Sequence, residues 1–135
     1  ESGCGKSMTA LSIMRLLPER GHIVDGEVHL GSTDLLALPE LAMRGVRGGR
    51  MGMIFQEPGL ALNPVMTIGT QFHEHLRRLG VAAWKPRALA LLDAVHLRDG
   101  APRLRRYPHQ LSHGICQRVL IAMAFAGRPS PHRCR

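Results

Sequence analysis

The chain has 135 residues, a formal net charge of +8, 44% apolar and 21% charged side chains, about one domain's worth of ordinary globular composition. No run of roughly 18 or more apolar residues occurs and no charged-then-apolar leader opens it, so neither a membrane span nor a secretory signal is expected. Its three cysteines, Cys4, Cys116 and Cys134, are odd in number and form no C-x-x-C pair, which speaks against a disulfide framework or structural zinc and for a reducing cytoplasm. The excess positive charge is scattered over the chain. With only three Phe, one Tyr and one Trp to stack on bases, nucleic acid is not an expected partner.

Glu1-Ser2-Gly3-Cys4-Gly5-Lys6-Ser7 matches the phosphate-binding pattern G-x-x-x-x-G-K-[ST] from its second position onward. Glycines in such a loop let consecutive N–H groups turn toward phosphate oxygens, and the following helix N-terminus adds partial positive charge. In loops of this kind the lysine, here Lys6, reaches the β- and γ-phosphates, and the hydroxyl, here Ser7, holds Mg²⁺. Met8 to Leu17 then predicts a helix with Leu11, Met14 and Leu17 on one stripe and Pro18 and Gly21 as stop signals. Gly26 to Leu30 alternates like a short strand and passes through Gly31-Ser32 to Asp34-Leu35-Leu36 in a hairpin-like turn.

Pro39 to Val46 suggests a short helix broken by Gly48-Gly49. Met51 to Phe55 is a continuous apolar run of strand length, the pattern of a strand covered on both faces, and it ends at Gln56. Glu57 to Val65, with Pro58, Gly59, Asn63 and Pro64, is expected to be a loop. From Thr67 a helix carries Ile68, Phe72, Leu76 and Leu79 and stops at Gly80. A second helix is expected from about Lys85 to Leu97, burying Leu89, Leu92 and either Val95 or His96, followed by a connector from Arg103 to Pro108. Ser112 caps a last helix bearing Ile115, Val119, Ala122, Met123 and Ala126. His73 and His75, two apart on a helix, face different ways and make no metal site.

Three further stretches make the pattern specific: Met53-Ile54-Phe55-Gln56-Glu57-Pro58, Leu62-Asn63-Pro64-Val65-Met66-Thr67-Ile68-Gly69, and Tyr107-Pro108-His109-Gln110-Leu111-Ser112-His113-Gly114. With the first loop, in this order and spacing, they resemble the Walker A loop, Q-loop and signature motif of an ATP-binding cassette ATPase. The wording around Asn63-Pro64 and Tyr107 to Gln110, and Gln117-Arg118-Val119 after it, resembles the oligopeptide/dipeptide importer branch. The resemblance covers nearly the whole chain up to about Pro129.

It implies an α/β fold: an incomplete P-loop NTPase core with an inserted α-helical subdomain. The implied division is 1–64 for the partial core with Walker A and Q-loop, 65–110 for the helical subdomain, 111–129 for the signature motif and return helix, and 130–135 for an aberrant tail. Ser2, Gly3, Cys4, Gly5, Lys6, Ser7 and Met8 would then bind ATP. Ser112, His113 and Gly114 would touch the γ-phosphate of ATP held by a second ATPase subunit. Ser7 and Gln56 would serve Mg²⁺, with Gln56 and Lys6 catalytic. The usual signature is Leu-Ser-Gly-Gly, so His113 puts an imidazole where a glycine lets backbone approach phosphate. Cys116 stands where an arginine or similar polar residue is usual.

The resemblance also implies an apolar strand ending in Asp-Glu directly after Arg128-Pro129, whereas the sequence there reads Ser130-Pro131-His132-Arg133-Cys134-Arg135. Codons for Pro-His-Arg-Cys-Arg, read one base later, can encode Leu-Ile-Ala-Ala and the start of an acidic codon, so a shifted frame is one explanation and a short protein with a novel tail the other. The implied function is the ATP-binding and ATP-hydrolysing subunit of a peptide importer, peripheral on the cytoplasmic face of the plasma membrane and partnered by membrane permease subunits. ATP binding by the chain alone is expected to be weak or undetectable. The alternatives are a non-transport cassette ATPase and an inactive nucleotide-binding remnant.

Overall fold

The structure, a computed structural model, describes residues 5–54 and 57–127. The chain clusters into two compact units, residues 1–47 and 48–135.

In the first unit α1 (Lys6–Ile13) is entered through Gly5 at φ 70°, a left-handed conformation that glycine takes without a Cβ penalty. The helix stops short of the expected Leu17. Arg15 adopts φ 51°, its N–H bonds to the Ser12 carbonyl at 2.9 Å, and the Leu16 N–H bonds to the Leu11 carbonyl at 2.8 Å. That pair of bonds is the Schellman ending, which usually takes a glycine at the left-handed position. Arginine occupies it because its guanidinium is tied down: Nη1 donates to the carbonyls of Leu38 at 2.5 Å and Leu35 at 3.3 Å. Of the expected stripe, Met14 is buried while Leu11 and Leu17 are half-buried.

Arg47 closes the same helix end from further along the chain. Its Nε donates to the Met14 carbonyl at 2.8 Å, Nη2 to the Arg15 carbonyl at 3.0 Å, and Nη1 to Glu40 at 2.6 Å. A cation at a helix C-terminus also opposes the helix dipole favourably. The Arg47 guanidinium hydrogen-bonded to Glu40 holds that carboxyl below its ordinary pKa.

The hairpin is present as β1 (His29–Leu30) and β2 (Thr33–Asp34), antiparallel with His29 opposite Asp34 and Leu30 opposite Thr33. Gly31 at φ 64° makes the reversal. This two-stranded ribbon is the only sheet among the described residues. α2 (Glu40–Val46) follows and buries Met43 and Val46, which with Met14 and Leu35 are the buried apolar residues of this unit.

The second unit begins without the expected strand. Gly48 N–H closes a turn onto the Met51 carbonyl at 2.6 Å, and a Cβ on Gly52 would stand 2.6 Å from the Ala124 carbonyl. Ile54 is 45% exposed, so this run lacks the two-sided cover that its apolar pattern implies; Phe55 lies outside the described residues. A strand needs a ladder partner, and among the described residues Met53 and Ile54 have none. Within the expected loop, Pro58–Ala61 forms one helical turn, α3, with Pro58 at its first position, where a missing N–H costs nothing.

Three longer helices and one short one then build a common apolar core. α4 (Ile68–Arg78) is capped by Thr67, whose Oγ1 accepts from the Thr70 N–H at 3.2 Å, and buries Ile68, Gly69, Phe72 and Leu76. It ends on Gly80 at φ 76°, with the Val81 N–H on the Leu76 carbonyl at 3.0 Å. α5 (Trp84–Ala94) buries Ala88, Leu91 and Leu92, while Leu89 and Val95 are only partly covered. His96, offered as a core candidate, is exposed; it takes φ 61° in a second non-glycine Schellman ending, with the Leu97 N–H on the Leu92 carbonyl at 2.9 Å. α6 (Gly100–Leu104) occupies part of what the sequence suggests is a connector.

α7 (His113–Ala124) buries Cys116, Val119 and Ala122, with Ala126 just beyond it. Ile115 and Met123 are half-buried partners of the cluster. Gly69 lets α4 and α6 meet backbone to backbone, since a Cβ there would stand 2.7 Å from the Leu104 carbonyl. His75 spans from α4 to α7, its Nε2 hydrogen-bonded to the Met123 carbonyl at 3.0 Å. Burial pushes its pKa down, a direction that the Met123 carbonyl partly offsets and the nearby Arg78 reinforces.

Replacing Arg47 by Met is expected to destabilise the first unit by about 1–3 kcal/mol, because two carbonyls at the end of α1 lose a charged donor. Urea denaturation, together with faster exchange of the α1 amides, checks it. For His75, a folded-state pKa below the ordinary 6.5 means stability is complete above that value and declines as pH falls through the lowered one. The melting temperature of the chain should therefore fall between pH 7.5 and 5.5, and His75→Gln should show a shallower fall over the same window; equal slopes would exclude this role.

Candidate phosphate-binding site

Two helix N-termini carry the described candidate residues. At the first, intrahelical bonding begins with the Thr9 N–H on the Gly5 carbonyl at 2.8 Å, leaving the N–H groups of Lys6, Ser7 and Met8 unclaimed within α1. Lys6, Ser7 and Met8 are exposed, and no atom lies within 4 Å of where a Gly5 Cβ would be. Open space, three donors without a partner inside α1 and the positive end of a helix dipole suit an anion. The hydroxyl of Ser7 is the kind of oxygen ligand that a hard cation such as Mg²⁺ takes, one or two protein groups beside phosphate oxygens and water. Ser2, Gly3 and Cys4, the rest of the loop, lie outside the described residues, as does Gln56.

At the second, Ser112 caps α7: its Oγ accepts from the Ile115 N–H at 3.4 Å, and its carbonyl takes the N–H groups of Ile115 and Cys116, each at 3.0 Å. The N–H groups of His113 and Gly114 remain unclaimed within the helix, and all three residues from Ser112 to Gly114 are exposed. A Cβ on Gly114 would meet nothing within 4 Å, so backbone is open to approach there. His113 presents an imidazole beside it.

Two supports for these ends are absent from the sequence reading. Thr9 donates its hydroxyl to the Gly5 carbonyl at 3.0 Å, in addition to its N–H, and so pins the left-handed residue that starts α1. The signal was a hydroxyl four residues after a glycine, which is common enough to pass unnoticed. Ahead of α7, Pro108–Gln110 forms a 3-10 turn in which the Tyr107 N–H bonds Gln110 Oε1 at 3.0 Å and the Gln110 N–H bonds the Tyr107 carbonyl at 3.0 Å. Cys116 backs this turn from α7. It is 6% exposed, its Sγ lies 3.5 Å from the Pro108 carbonyl, and burial raises its thiol pKa, so it packs as a small apolar group.

Residues 1–130 match the ABC transporter family along almost the whole chain. The chain belongs to the ABC transporter family. Members of the ABC transporter family are P-loop ATPases, which accounts for a glycine-led helix start followed by lysine and serine. Among its relatives, the "Probable peptide ABC transporter ATP-binding protein y4tR" of Sinorhizobium fredii is 48% identical over 133 residues, covering 96% of this chain and 40% of that protein. The "Dipeptide transport ATP-binding protein DppD" of Bacillus subtilis is 44% identical over 133 residues, with the same coverage of 96% and 40%. The "Peptidoglycan transport ATP-binding protein YejF" of Agrobacterium fabrum is 47% identical over 133 residues, 96% of this chain and 24% of that protein. The chain thus spans well under half the length of these relatives.

Ser112→Ala removes the one side-chain cap of α7 and is expected to cost about 0.5–1 kcal/mol, the low end for an N-cap because its bond is long. Chemical denaturation reads the loss, and Ser112→Asp should restore most of it by accepting the same N–H.

Proposed function

We propose that the chain is part of the ATP-binding subunit of a peptide importer, energising solute uptake across the membrane. The observation that carries this reading is the pair of exposed helix starts, Gly5 to Met8 and Ser112 to Gly114, in a chain of the ABC transporter family. The names of its relatives point to peptides, dipeptides and peptidoglycan at nearly equal identity, so the cargo class is peptide-like and its finer choice lies outside this segment.

In this reading residues 1–64 belong to a P-loop core holding Walker A and Q-loop, 65–110 to an inserted helical subdomain, and 111–129 to the signature motif and return helix. Ser2 to Met8 bind the phosphates of ATP, with Lys6 neutralising the β- and γ-oxygens and Ser7 joining Mg²⁺. Gln56 completes the Mg²⁺ and water side of that site. Ser112, His113 and Gly114 meet the γ-phosphate of ATP bound by a second ATPase subunit. Mg²⁺ supplies neutralisation of charge developing between the β- and γ-phosphates. Gln56 and Lys6 are the catalytic residues in this reading, and residues 130–135 contain no Asp or Glu to act as a general base.

The partners in this reading are membrane permease subunits, and the place of work is the cytoplasmic face of the membrane. It agrees with the finding that, among the described residues, no helix is long and apolar enough to cross a membrane.

The test is ligand-observed magnetic resonance with millimolar ATP and Mg²⁺. Weak saturation transfer from the chain to ATP is expected, and Lys6→Ala should reduce it by roughly ten-fold, since a charge-assisted phosphate contact is lost. Equal transfer from both proteins would overturn the assignment of Lys6.

A further inference from the structure

In the second unit, the start of α4, the start of α5 and α6 surround a cavity of about 400 Å³ that the nucleotide reading does not use. Its wall carries Thr67, Thr70, His73, Trp84, Lys85 and Arg105, over an apolar patch that includes Leu104. A second cavity of about 380 Å³ shares Arg105 and adds Arg106. No carboxylate lines either cavity, and among the described residues Lys85, Arg105 and Arg106 enter no ion pair.

The polar groups on the wall have donor capacity to spare. Thr67 Oγ1 accepts the Thr70 N–H at 3.2 Å and shares one hydrogen bond with Thr70 Oγ1 at 2.8 Å. Two hydroxyls carry two protons and that shared bond uses one, so whichever of the pair accepts keeps a free proton. Trp84 is steadied by His73, their ring centroids 5.1 Å apart and their planes tilted by 47°. Trp84 thus shares the wall of the cleft with two cations and a hydroxyl donor.

We propose that this cleft binds a small organic anion bearing an aromatic ring. The ring packs on Trp84 and Leu104, and the phosphate or carboxylate is held by Arg105, Lys85 and the free threonine proton. Arginine forks onto two anion oxygens while the ammonium adds a point charge, a combination suited to a dianion. Such a site is independent of the P-loop, so ligand binding here does not require Lys6.

Trp84 is the sole tryptophan of the chain, so its fluorescence reports the cleft directly. Phenyl phosphate is the probe, with inorganic phosphate and benzyl alcohol as its two halves. Phenyl phosphate is expected to quench Trp84 saturably, and each half alone to bind at least roughly ten-fold more weakly, because a ring contact or a charge-assisted contact is missing. Arg105→Gln should weaken phenyl phosphate by roughly ten-fold with an unchanged far-ultraviolet circular dichroism spectrum. Lys6→Ala should leave it unchanged. No saturable quenching by the folded chain, equal affinity in Arg105→Gln, or loss of the effect in Lys6→Ala would each overturn the proposal, the last by moving the anion to the P-loop.

Discussion

An α-helix leaves its first N–H groups and last carbonyls without partners inside the helix, and the arrangement of this chain follows from how it treats the two ends. C-termini are closed. α1, α4 and α5 all finish in Schellman endings, at Arg15, Gly80 and His96, and α1 adds the Arg47 guanidinium over the carbonyls of Met14 and Arg15. N-termini at the candidate sites are left open within their helices. Among the described residues Gly5 and Ser112 begin their helices with only local bonds, and the residues that follow them are exposed. Closed ends fix where each helix stops, and open ends leave the donors that the proposed function assigns to phosphate.

The same three endings show what the sequence makes visible. Gly80 announces the end of α4 because a residue without Cβ favours the left-handed turn. Arg15 and His96 occupy the equivalent position in α1 and α5, yet neither residue type signals it, so both helices read three or more residues too long. For Arg15 the reason is tertiary: its side chain bonds the carbonyls of Leu35 and Leu38, some twenty residues away, contacts that local pattern does not contain. For His96 the compensation is the burial of Leu97 on the next step of the chain.

Periodicity served the helical part better than the strand. The stripe of Ile68, Phe72 and Leu76 is buried as its spacing implies, because a helix needs only one covered face to reveal itself. Met51 to Phe55 carries the composition of a buried parallel strand, but strand formation depends on a neighbour distant in sequence, and none pairs with Met53 or Ile54 among the described residues. The short helices α3 and α6 leave no such signal: four or five residues give too little periodicity to register. The motif residues fared differently. Gly5 and Ser112 each carry a local requirement, positive φ in one case and an N-cap in the other, and both are met where the sequence places them.

His113 is where family pattern and local physics part. The helix does not need a glycine at its first position: an imidazole fits there, exposed, while Ser112 supplies the cap and Gly114 keeps the open backbone. What glycine contributes at such a place is access, so the departure bears on the ligand and leaves the fold untouched. The unclaimed N–H of His113 still points along the start of α7. Its side chain adds bulk next to that donor, at the positive end of the helix dipole. In the proposed reading, phosphate contact at α7 therefore has a narrower backbone approach than a glycine pair would give, while Ser112 keeps the cap and Gly114 the open backbone.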